Sequence, residues 1–107
     1  MLTYYLNMRR VGELKLPNLF QIGRYKVFFW SNENDEPLHV HVGIGKPTSN
    51  ATKIWITSTG GCIVANNGSK IPTKELNELM EVIAAQFFLI CGAWKDHFKI
   101  NDIKFYC

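Results

Sequence analysis

The feature that most limits how this chain can fold is a change of hydrophobic period at Pro72-Thr73. After it, Leu76, Leu79, Met80, Ile83, Phe87, Ile90, Cys91, Trp94 and Phe98 recur at steps of three and four residues, which puts them on one face of a helix. Before it, short aromatic and β-branched runs at residues 24–30, 38–44, 52–57 and 62–65 are separated by Gly, Pro and Asn, as strands and turns are. The expected fold is α+β: an antiparallel sheet of about four strands, packed by one long C-terminal helix.

The helix is expected over 73–97, roughly 37 Å at 1.5 Å per residue. Pro72 and Thr73 suit its start, and Glu75, Glu78 and Glu81 near the start with Lys95 near the end complement the macrodipole. Gly92 costs about 1 kcal/mol against alanine in a helix interior, so it implies close packing or a local bend. Val82, Ala85, Phe88 and Leu89 fall outside the main stripe and form a second apolar flank, covered by the curl of the sheet or by a partner. Residues 1–16 read as an N-terminal extension, a candidate fifth strand or an arm, and 17–107 as a single α+β domain.

A length of 107 residues allows one core, and 47% hydrophobic with 20% charged residues is the composition of a folding chain. A net charge of +3 permits an anionic partner without demanding one. Cys62, Cys91 and Cys107 are odd in number and lack C-x-x-C spacing, so neither a disulfide framework nor a zinc knuckle is expected. The first ten residues lack a secretory pattern, and the apolar run at 82–94 is too short to span a bilayer. A cytoplasmic protein without a membrane segment or cofactor is the expectation.

Chemistry concentrates in Glu33-Asn34-Asp35-Glu36-Pro37-Leu38-His39-Val40-His41-Val42. Pro37 biases Glu36 away from the helical region, so the acidic residues belong to a loop. In the strand that follows, alternation puts His39 and His41 on one face and Leu38, Val40 and Val42 on the other. Three uses of that face compete. A metal could be held by both histidines with Glu33, Asp35 or Glu36. No metal is favoured because two histidines lack a third fixed ligand; if one binds, the set is His39, His41 and Glu36. Acid–base hydrolysis could use His39 and His41, with Lys53 or Arg24 stabilising developing charge, but neighbours on one strand approach a phosphate from the same side. A binding face could combine the histidines with Lys53 and Trp55 from the next strand, and with Tyr25, Phe28 and Trp30 from the preceding one. The stretch from Gly43 to Ser49 fails as a phosphate loop, since Pro47 separates Gly45-Lys46 from Thr48 and a strand follows. His97 reads as a helix-end residue.

The run Gly23-Arg24-Tyr25-Lys26-Val27-Phe28-Phe29-Trp30-Ser31-Asn32-Glu33, followed by Glu36-Pro37-Leu38-His39-Val40-His41-Val42, resembles the bacterial domain-of-unknown-function family 4160. Residues 51–56, the Asn-Gly turn before the helix, Lys74-Glu75-Leu76 and the 94–98 ending are similar to it as well. Leu38 stands where that family usually has a second proline. The resemblance implies a bacterial context in which members are encoded beside another small protein in toxin–antitoxin-like pairs.

The leading expectation is a small cytoplasmic interaction protein of a toxin–antitoxin-like or mobile-element defence context. It would bind a protein encoded nearby, or RNA, through the face of His39, His41, Lys53 and Trp55 with Glu33 and Glu36, or through the helix flank at Phe88; a homodimer is compatible with the same flank. The alternative is a small hydrolytic enzyme, ribonuclease-like or metal-dependent, with His39 and His41 as its catalytic residues. Interaction ranks first because no complete catalytic set can be assembled.

Overall fold

The computed structural model describes residues 18–33 and 35–107. The extension read at residues 1–16 lies outside them. Five strands, β1 (Asn18–Ile22), β2 (Tyr25–Phe28), β3 (His39–Ile44), β4 (Thr52–Ile56) and β5 (Cys62–Asn66), precede two helices, α1 (Thr73–Ala85) and α2 (Phe87–Phe98). The strands form one antiparallel meander in the order β1-β2-β3-β4-β5.

The fold is α+β, and two details differ from the sequence expectation. Among the described residues the sheet has five strands, the additional one being β1, which precedes the first of the expected runs. Gly23, at φ +57°, opens the two-residue turn that pairs Ile22 with Tyr25.

The single long helix is two helices, bent by 70°. The break is at Gln86, with φ −100° and ψ 20°, whose N–H reaches both the Ile83 carbonyl at 3.0 Å and the Val82 carbonyl at 3.2 Å. A straight rod of roughly 37 Å would overrun a molecule whose extents are 34 × 30 × 23 Å. Bending lets Leu76, Leu79 and Ile83 of α1 and Ile90, Ala93 and Trp94 of α2 all reach the core. Gly92 is not the bend: it is exposed, and a Cβ there would touch nothing within 4 Å.

Val27, Val40, Val42, Ile54 and Ile56 supply the sheet side of the core and are fully buried. The apolar periodicity of the helices thus meets one face of the alternating strands. The central strand β3 is buried on both faces, since His39 and His41 are 0% and 7% exposed. After α2 the chain turns at Lys99, which takes the left-handed conformation at φ 55°, and runs back along the sheet end. There the Leu38 N–H donates to the Lys104 carbonyl at 2.8 Å, and the Ser58 N–H to the Cys107 carbonyl at 3.0 Å. Ile103 and Phe105 pack against the core. Among the described residues, no single helix is long and apolar enough to cross a membrane.

Candidate functional site

The β2–β3 connection is a loop folded back over the sheet. Its first turn is closed by the Glu33 N–H to the Trp30 carbonyl at 3.3 Å, and the Glu36 N–H follows onto the Glu33 carbonyl at 3.1 Å. The Glu33 carboxylate accepts the Trp30 N–H at 2.8 Å, which fixes it over the start of β3. The β3–β4 register sets His39 opposite Trp55 and His41 opposite Lys53, and the β2–β3 register sets Phe28 opposite His41. The shared face follows from strand alternation.

Glu33 closes on both histidines. His41 Nε2 lies 2.8 Å from Oε2 and 3.1 Å from Oε1. His39 Nε2 lies 3.0 Å from Oε1, yet it makes no hydrogen bond. The other nitrogen of His39, Nδ1, is 2.8 Å from the Pro37 carbonyl. A carbonyl only accepts, so Nδ1 carries the proton of the neutral ring. The two imidazoles stand nearly perpendicular, with centroids 5.0 Å apart.

The surroundings are aromatic. Phe28 stacks on His41 at 5.5 Å, Trp30 meets it edge-on at 6.5 Å, and His39 lies between Trp55 at 5.5 Å and Trp94 at 5.4 Å. Burial in this wall opposes the charged form of Glu33. The His41 imidazole and the Trp30 N–H, which meet the carboxylate directly, outweigh it, holding the carboxyl well below the usual carboxylate range.

The remaining candidates divide. Glu36, named above as the carboxylate of a metal set, is turned away from the histidines and paired with Lys53; Glu33 occupies that place. Lys53 Nζ also sits 4.3 Å from the Trp55 ring centroid. Trp55 is covered in turn by Tyr106, with centroids 4.9 Å apart and planes 3° from parallel. Tyr25 faces the helices, where its hydroxyl donates to Glu75 at 2.6 Å, and Arg24 joins that pair at 3.4 Å. Arg24 is therefore not beside the histidines. His97 packs on Phe29 at 5.6 Å, and its burial lowers its pKa.

Phe88 stands apart from this cluster. It is 86% exposed at the elbow between the helices, beside a groove of about 390 Å³ lined by Phe87, Cys91, Lys95, Ile103 and Phe105. Three contributors carried no sequence signal: the Pro37 carbonyl, the Trp30 N–H and the returning tail with Tyr106. Two are backbone groups, and the tail has no periodicity to place it.

A five-stranded antiparallel meander under two helices, with two buried histidines on its central strand met by a loop glutamate, defines the class of domain. The family model described as "Domain of unknown function (DUF4160)" matches residues 25–95, and the chain belongs to that family. The match includes the whole β2–β3 connection and both histidines. No curated protein and no solved structure matches the chain.

Proposed function

We propose that the chain is a small protein-binding module of the cytoplasm whose docking surface is the elbow between α1 and α2. The observation that carries this reading is Phe88, 86% exposed and continuous with an apolar groove. A large apolar side chain held outward on a rigid elbow suits anchoring to another protein, because aromatic anchors beside pockets supply much of the affinity of such interfaces. The groove is walled by Phe87, Ile103 and Phe105, with Lys95 on its rim. That composition fits an apolar segment carrying an acidic group.

Two observations favour a protein over RNA as the ligand. Lys53 is engaged by Glu36, and Trp55 is covered by Tyr106, so the basic and stacking groups of the sheet face are already taken. The burial of His39 weighs against the hydrolytic alternative, since a general acid or base must come within hydrogen-bond reach of its substrate. Within a toxin–antitoxin-like gene pair, the neighbouring gene's product is the natural first partner to test.

The experiment is co-expression with that product, followed by size-exclusion chromatography with light scattering. A stoichiometric complex is expected with the unaltered chain and with Lys53→Ala, and its loss with Phe88→Asp, which is exposed enough to leave the fold intact. A complex that survives Phe88→Asp would refute the elbow as the docking surface.

A further inference from the structure

We propose that Glu33, His39 and His41 form a binding site for one first-row divalent cation of the zinc class, with the Nε2 atoms of both histidines and the Glu33 carboxylate as ligands. Their donor atoms all lie within 4.8 Å of one another. The inference starts from His39. Its side chain is fully buried, its Nδ1–H is committed to the Pro37 carbonyl, and its Nε2 is left with a lone pair and no hydrogen-bond partner. That lone-pair nitrogen stands 3.0 Å from the Glu33 Oε1.

Two lone-pair atoms at this separation repel each other unless a proton or a metal ion lies between their axes. A zinc-class ion does that. Donors about 2.1 Å from a shared ion stand roughly 3.0–3.4 Å from each other, with their lone pairs converging on the ion and not on one another. The His39 distance has this form, with Nε2 3.0 Å from Oε1; His41 Nε2, at a hydrogen-bond length of 2.8 Å from Oε2, would move out by a few tenths of an ångström to share the ion.

A ligating histidine donates its other N–H to a carbonyl or carboxylate, as His39 does to Pro37; His41 Nδ1 has no such partner, and to ligate, His41 Nε2 must release the proton it donates to Glu33. The Trp30 N–H orients the carboxylate. Phe28, Trp30, Trp55 and Trp94 exclude water from the rings, and two neutral imidazoles with one carboxylate suit zinc better than calcium or magnesium. A tetrahedral ion would have one further position. The ion would clip the β2–β3 connection onto the sheet, independently of any partner at the elbow.

The test uses the tag-free full chain, stripped with a chelator and dialysed against zinc chloride. One zinc per chain is expected, with a melting temperature raised by about 10 °C at a hundredfold excess over Kd. His39→Ala and Glu33→Gln should each lower the stoichiometry below a tenth. Nitrogen NMR of the imidazoles in the unaltered chain is the second measurement, and it holds even if a variant fails to fold: zinc should shift the Nε2 resonances of both His39 and His41. Absence of bound zinc in the folded chain, retention of zinc by both folded variants, or imidazole resonances unmoved by zinc would each overturn the proposal.

Discussion

Glu33 and His41 are eight residues apart in the chain, yet His41 Nε2 lies 2.8 Å from Glu33 Oε2. The same carboxylate takes the Trp30 N–H at 2.8 Å. One side chain thereby ties the end of β2, its own loop and the central strand together. The closure is electrostatic as well as geometric, because the carboxylate is held ionised in a largely apolar surround.

Glu33→Gln should therefore destabilise the fold in a pH-dependent way. The Glu33 pKa is depressed in the folded state below the unfolded value of about 4.3. Its contribution is fully present above that value and is lost as pH falls below it, toward the folded pKa. Replacing a nearly buried carboxylate that accepts several hydrogen bonds should cost about 2 kcal/mol at pH 7. In urea titrations of metal-free protein, the gap between the unaltered chain and the variant should narrow steadily from pH 5 toward pH 3. A gap that stays constant over that interval would contradict the assignment.

How far the fold and the site could be read from sequence depended on whether the signal was local. The alternation around His39 and His41 and the three-four stripe from Leu76 to Phe98 are local patterns, and the sheet and helices follow them. The bend at Gln86 is set by the size of the core against the length of the helix, and no residue there is a Pro or Gly. The choice of Glu33 over Glu36 depends on how the ten-residue β2–β3 connection folds back, which composition does not specify. Both carboxylates precede Pro37 and look alike in sequence; one meets the histidines and the other meets Lys53. The covering of Trp55 by Tyr106 joins residues with no shared motif.

That contact makes a second prediction. Tyr106 is 58% exposed, so it contributes little by simple burial, but its ring lies 4.9 Å from Trp55 and nearly parallel to it. Stacked pairs of this kind are worth about 1 kcal/mol beyond area. Tyr106→Ala should lower the unfolding free energy by about that amount, while Tyr106→Phe, which keeps the ring, should match the unaltered protein. Equal losses in the two variants would assign the effect to the hydroxyl and sink the stacking account.

Two glycines should respond to alanine in opposite directions. Gly92 sits mid-helix in α2, exposed, and a Cβ there meets nothing within 4 Å. Gly92→Ala removes backbone entropy from the unfolded chain at no steric cost and should stabilise by about 1 kcal/mol. At Gly68 a Cβ would collide with the Asn50 carbonyl. Backbone cannot rotate aside as a side chain can, and this loop is held to the sheet by the Ser69 hydroxyl donating to the Val42 carbonyl at 3.1 Å and by Thr52 with Asn67 at 2.7 Å. Gly68→Ala should therefore destabilise by about 2 kcal/mol or more, as strain in a pinned backbone does. Thermal and urea unfolding of the two variants beside the unaltered chain decides both: a destabilised Gly92→Ala would mean that α2 packs against something on its outer side, and a neutral Gly68→Ala would mean that the 67–72 loop gives way.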